Sequence, residues 1–204
     1  MIKRSIEDTS IVFIGAGNLA TNLAHAFYRK GFRVVQIYSR TEDSARTLAQ
    51  AVEADYTTSL ASVVPDAQLY IVLLKDDALV ELLPQIVVGK GKGLWVHTAG
   101  SIPMDIWKGH VERYGVFYPL QTFSKSRLVD FHEIPVFVEG SSDEEVHFLK
   151  QIASALSRKV LEANSEQRRN LHLAAVFTCN FTNHMYALAE HLLQKHGLPF
   201  DAML

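Results

Sequence analysis

Two groups of residues in this 204-residue chain have the types and spacing to do chemistry. The first is Gly15-Ala16-Gly17-Asn18-Leu19-Ala20, directly after the apolar run Ile11-Val12-Phe13-Ile14. The run reads as a buried strand. Leu19, Leu23, Ala26 and Phe27 then fall on one helical face. Gly15 would turn the chain sharply out of the strand. Gly17 has no side chain, so a pyrophosphate could approach the backbone there, and Ala20 would let the helix lie close to the strand. The free N–H groups of the first helical turn would hold the phosphates. A bare Gly-x-Gly-x-x-Ala can be only a tight structural turn. Its place between a strand and an amphipathic helix points to a dinucleotide.

The companion residues are Ser39-Arg40-Thr41, which end a second strand over 32–38. A carboxylate at this point would bind ribose hydroxyls and repel a 2′-phosphate. A guanidinium with two hydroxyls is what a 2′-phosphate needs, so the expected cofactor is NADP. Leu74, Lys75 and Asp76 end another apolar strand, and Lys75 is either beside the cofactor or solvated. The second chemical group is His97-Thr98-Ala99-Gly100-Ser101 together with His172 and Asn180. Ala99 and Gly100 would face the cofactor. Hydride chemistry belongs to the nicotinamide, and the protein must add a proton donor. His172 or His97 is suited to that near neutral pH, with Asn180 and Ser101 orienting the substrate. The alternatives are a His97 that caps its own loop and a His172 and Asn180 tied into a structural network. No metal site is expected.

These residues need a scaffold of alternating elements. Strands are expected at 11–14, 32–38, 54–56, 69–74, 94–96, 115–118, 135–140 and 159–161. Helices are expected after Gly17, at 42–51, near 60–64, after Asp77 as N-cap, and at 143–156. The unbroken run Leu69-Tyr70-Ile71-Val72-Leu73-Leu74 suits a central parallel strand buried on both faces. The alternation argues a doubly wound, mostly parallel α/β domain over 1–163. Residues 164–204 form a helical C-terminal domain. Gln167 lies three residues after Asn164, the spacing of a capping box. No helix breaker follows until Gly197, so one helix of about 30 residues, roughly 45 Å long, is expected.

That helix carries no charge between Arg169 and Glu190. Leu171, Ala174, Thr178, Phe181, Met185, Leu188 and Leu192 form one stripe. His172, Val176, Cys179, Asn180, Asn183 and Ala187 form the opposite face. A face with neutral polar groups and no charge is expected to line a ligand cleft or to pack on a partner chain. A homodimer through the C-terminal helices is the expected partner.

Composition narrows the remaining classes. A net charge of −2 argues against a nucleic-acid surface. There is no unbroken apolar run of about 18 residues, so no membrane span is expected. A lone cysteine, Cys179, fits a reducing compartment, and Met1-Ile2-Lys3-Arg4-Ser5 is too short and polar for a signal peptide. The expected location is the cytoplasm.

The whole pattern resembles the superfamily of pyrroline-5-carboxylate reductases, β-hydroxyacid dehydrogenases and deazaflavin-dependent NADP oxidoreductases. It is most similar to a subgroup of Rossmann-like proteins with a helical C-terminal domain of unknown function. The residues that carry this are His97-Thr98-Ala99-Gly100-Ser101, Tyr118-Pro119-Leu120-Gln121-Thr122-Phe123, and Arg169, His172, Ala174-Ala175 and Asn180. The resemblance implies hydride transfer to or from a small keto or hydroxy acid, or an imine or amine. Two departures matter. β-Hydroxyacid dehydrogenases have an acid where His97 stands, and a helix lysine four residues before the asparagine. Asn180 matches that asparagine and Val176 replaces the lysine, so the usual lysine acid/base is missing. A non-catalytic NADP-binding sensor is therefore the second reading, and a flavin or deazaflavin redox partner the third. The resemblance also implies further helices beyond Asp201-Ala202-Met203-Leu204, so the C-terminal domain is expected to be incomplete in this sequence.

Overall fold

A computed structural model describes residues 6–203. The polar start Met1–Ser5 and the final Leu204 lie outside the described residues. Eight strands form one sheet: β1 (Ser10–Ile14), β2 (Arg33–Tyr38), β3 (Asp55–Thr57), β4 (Leu69–Val72), β5 (Leu94–His97), β6 (Tyr114–Pro119), β7 (Val136–Gly140) and β8 (Val160–Glu162). Their spatial order is β3-β2-β1-β4-β5-β6-β7-β8. All neighbours are parallel except β6 and β7, which are antiparallel. The order reverses between β1 and β4, the topological switch point at which open α/β sheets bind ligands.

Strand alternation divides the core into two layers. Ile11, Phe13, Leu69, Ile71, Leu94 and Val96 point to one face, where α1 (Asn18–Arg29), α2 (Glu42–Ala51) and α4 (Asp143–Leu156) cover them. Val12, Ile14, Tyr70, Val72 and Trp95 point to the other, under α3 (Asp76–Ile86) and the short turn of 3-10 helix Met104–Trp107. Both faces are buried, as the near-continuous apolar strands require. Helices α2 and α4 have the limits expected from the sequence. Helix α3 does not have the expected cap. It starts at Asp76 with Lys75 as N-cap, and Asp77 lies within the first turn, where its charge still favours the dipole.

The C-terminal helix is continuous from Ser165 to Lys195: α5 (Ser165–Ala175), a π-helical stretch (Val176–Phe181) and α6 (Thr182–Lys195). The capping box forms as expected. The Asn164 carboxamide accepts from the Gln167 N–H at 2.9 Å, and the Gln167 side chain accepts from the Asn164 N–H at 3.0 Å. Only the start of this helix docks. Leu171 packs beside Val116, Tyr118, Phe137 and Ala163. Beyond it the described residues leave the helix largely uncovered: Phe181, Met185, Leu188 and Leu192 of the stripe, and Leu173, Phe177 and Tyr186 beside it, are each about half exposed. Among the described residues, no helix is long and apolar enough to cross a membrane.

Candidate active site

A cleft of about 550 Å³ opens at the carboxyl edge of the sheet, over the β1/β4 switch point. One wall is the turn after β1. Gly15 has φ +128°, and a Cβ there would lie 2.6 Å from the Leu73 carbonyl oxygen. Only glycine lets the two strand ends meet so closely. The Gly15 N–H also donates to the Tyr38 carbonyl at 2.8 Å, tying this turn to the tip of β2. In front of Gly17 the space is open, with no atom within 4 Å of where a Cβ would stand. Gly17 is the N-cap of α1 and supplies no capping side chain, so the helix begins with unclaimed N–H groups aimed at the cleft.

The far wall holds a hydroxyl–imidazole pair. Tyr118, at the end of β6, and His172, on α5, meet through Tyr118 Oη and His172 Nδ1 at 2.9 Å. Burial pushes the Tyr118 hydroxyl up to about 12, with the Arg168 guanidinium opposing. The phenol therefore stays protonated and donates to Nδ1. A neutral imidazole then carries its own proton on Nε2. His172 lies directly on Gly100: a Cβ on that glycine would be 2.6 Å from His172 Cγ. Ala175, Val176, Cys179 and Asn180 continue this wall, and Leu120 to Phe123 close it from the loop after β6. The π-helical stretch thus falls where the helix faces the cleft, a common place for such irregularity.

A buried ion pair fixes α5 to the nucleotide half. Arg168 is 1 % exposed. Its guanidinium donates to the Ala99 and Ile102 carbonyls and pairs with Glu139 of β7. Glu139 in turn accepts from the Ser165 N–H at 3.0 Å and from the Ser165 hydroxyl at 2.9 Å. Every donor of Arg168 is aimed at protein. It is a strap between the 97–103 loop and the helix that carries His172, and offers nothing to a substrate.

The expected site residues separate into three sets. Gly17, Asn18, Leu19, Leu74, Lys75, Asp76, Ala99, Gly100, His172 and Asn180 all line the cleft. Ser39, Arg40 and Thr41 stand outside it at the tip of β2. Arg40 is exposed and has no ion-pair partner among the described residues, and Thr41 is the N-cap of α2. Ala16, His97 and Ser101 do not line the cleft. Ala16 is packed into the core, 6 % exposed. The Ser101 hydroxyl is taken by the Asp76 carboxylate. His97 is fully buried and stacks on Trp107, with centroids 6.1 Å apart. Its Nδ1 accepts from the Ala99 N–H at 3.2 Å, and its Nε2 has no hydrogen-bond partner. Burial first, and Arg168 second, lower it to about 3. A histidine that stays neutral and cut off from the cleft donates no proton there. Its period-two alignment with Trp95 turns it into the core. The principal residue missed is Tyr118. A hydroxyl-bearing aromatic at the carboxyl end of a strand was the available signal.

A switch-point cleft that opens on a glycine turn and a bare helix start defines a Rossmann-type dinucleotide-binding class. Residues 10–96 match the family model of NADP oxidoreductase, coenzyme F420-dependent, and residues 134–204 match a domain of unknown function, DUF2520. A candidate NADP oxidoreductase from Bacteroides fragilis, BF3122, is 71% identical, with a TM-score of 0.93 over 98% of this chain and 77% of its own. The chain belongs to the same family of NADP oxidoreductases. The protein TM1727 from Thermotoga maritima shares the fold at 23% identity and TM-score 0.74, over 92% of this chain and 71% of its own. An imine reductase from Myxococcus stipitatus, in complex with NADP+, shares it at 17% identity and TM-score 0.73, over 95% and 68%. No curated protein matches the chain.

Proposed function

We propose that this chain is an NADP(H)-dependent oxidoreductase that moves a hydride between the nicotinamide and a small substrate, a keto or hydroxy acid or an imine or amine. The observation that carries this is the Tyr118–His172 pair facing the glycine turn across one cleft. The amide-lined start of α1 would hold the pyrophosphate, and the free Arg40 guanidinium the 2′-phosphate. The dinucleotide supplies the hydride. His172 aims its Nε2–H at the developing alkoxide or amine; as that proton leaves, Nδ1 takes the Tyr118 hydroxyl proton, so the ring stays neutral and Tyr118 is reprotonated from solvent. Asn180 is placed to orient the substrate by hydrogen bonds. The lone free Cys179 accords with a cytoplasmic location.

NADPH consumption is the test, against a panel of keto acids, ketones, cyclic imines and an oxidised deazaflavin. On the substrate that responds, His172→Gln is expected to lose roughly 10²–10⁴-fold in kcat, the usual worth of a positioned acid. Tyr118→Phe should also lose turnover, because it removes the proton that refills the ring at Nδ1. Turnover unchanged in both variants would overturn these roles. One observation favours a second reading. Val176 lines the cleft where relatives with a lysine acid/base would place it. A sensor of NADPH would then bind the nucleotide tightly and turn over nothing on the panel.

A further inference from the structure

The loop after β6 builds one wall of the cleft with residues 120–123, yet residues 120–130 contain no strand or helix. Something else must hold it. Phe123 stacks on the buried Phe131, centroids 5.6 Å apart, which fixes the two ends to each other. Between them, Lys125 and Arg127 are exposed. Behind the far end lies a second cavity of about 300 Å³, bordered by Asn22, Arg29, Lys30 and His132, so apart from Phe123 and Val129, which pack on the core, the loop has open space at its back.

The polar support across to α1 is a single side chain. Asn22 lies on α1, one turn after Asn18, and is 2 % exposed. Its Nδ2 donates to the Ser124 carbonyl at 2.8 Å and to the Asn18 carbonyl at 2.9 Å. Its Oδ1 accepts from the Val129 N–H at 2.9 Å. The two loop contacts span 102 and 107 residues of sequence. One carboxamide therefore joins the phosphate-facing turn of α1 to both limbs of the loop. It uses both donors, and its acceptor holds a backbone group that would otherwise be unpaired.

We propose that Asn22 is a positioning residue that sets the substrate wall of the cleft against the cofactor-binding helix. The wall and the start of α1 move as one hydrogen-bonded unit, so the distance between substrate and nicotinamide is set from behind the site. An apolar residue of similar size would leave Ser124 O and Val129 N–H without partners, and the loop would open locally while the sheet stayed intact. The proposal rests on the oxidoreductase reading only in its kinetic consequence.

Limited trypsin digestion tests the geometry without any turnover. In folded Asn22→Leu, cleavage after Lys125 and Arg127 should rise about tenfold over wild type, while cleavage elsewhere is unchanged. Asn22→Asp keeps the acceptor for Val129 and should be cleaved at a rate between the two. A folded Asn22→Leu cut at the wild-type rate would refute the proposal. If that variant does not fold, hydrogen exchange on the wild type decides: a slowed Val129 amide supports the brace, and one exchanging at the free-peptide rate overturns it. On any substrate found, KM should rise about tenfold in Asn22→Asp with NADPH affinity within about threefold. Should the cleavage pattern appear and no substrate react, the catalytic reading fails and the role of Asn22 stands.

Discussion

His97 and His172 are the same side chain in opposite settings. His97 ends a strand at the carboxyl edge of the sheet and His172 lies on the C-terminal helix, and only His172 reaches the cleft. His97 carries a different consequence, one for stability. Folded, it stays neutral down to about pH 3, because burial and the nearby Arg168 disfavour its cation. Unfolded, it titrates near the ordinary value of about 6.5. Between those two values the unfolded chain binds the extra proton. Stability is therefore full above about pH 6.5 and falls as the pH drops, by up to about 1.4 kcal/mol per unit from this group. His97→Gln can still accept from the Ala99 N–H and has no proton to bind. Urea midpoints at pH 7 and pH 4.5 should show a larger acid loss in wild type than in His97→Gln. Parallel losses would mean that His97 already finds a proton acceptor in the fold.

Among the elements, legibility followed the range of the physics. The turn after β1 was readable because its cause is local: three small residues at fixed spacing between a strand and a helix. The start of α5 was readable for the same reason, since a capping box needs only Asn164 and Gln167. The wall of Tyr118, Gln121 and Thr122 was not, because it exists only where β6 and α5 meet, and the Tyr118–His172 contact spans 54 residues. Nor was the π-helical stretch legible, as the same residues satisfy an α-helical pattern. For His97 the sequence left two readings open, and the loop-capping one holds, because a strand's last residue can turn to either face and this one turns inward. The tip of β2 is the legible element that remains to be tested. Arg40 is exposed at its end, with no ion-pair partner among the described residues. Arg40→Ala should weaken NADPH binding by roughly 10–100-fold, the worth of charge-assisted bonds to a phosphate, and leave NADH binding unchanged. Titration of both nucleotides by fluorescence measures this. Equal binding of NADH and NADPH by the wild type would remove the 2′-phosphate assignment.

The molecule as a whole has a half-finished surface. The nucleotide half is buried on both faces of its sheet, and Arg168 straps the first turns of α5 onto it. From Leu173 onward the helix has lost that cover. Seven large hydrophobic side chains from Leu173 to Leu192 are about half exposed along one helix. A lone chain in water rarely keeps so long an apolar stripe bare. A second copy offers the same stripe, and two such helices can bury it reciprocally about a two-fold axis. The stretch from Val176 to Asn180 lines the cleft on the same helix, so pairing would also stiffen the wall that carries Asn180. Sedimentation at micromolar concentration should therefore give a particle of about twice the 22.9 kDa chain. Met185→Glu with Leu188→Glu places two like charges on each copy at the centre of that contact. The pair should shift the protein to monomer and leave NADPH affinity within about threefold, because neither residue borders the cleft. A wild type that sediments as a monomer, or a charged variant that remains dimeric, would show that this stripe is not where two copies meet.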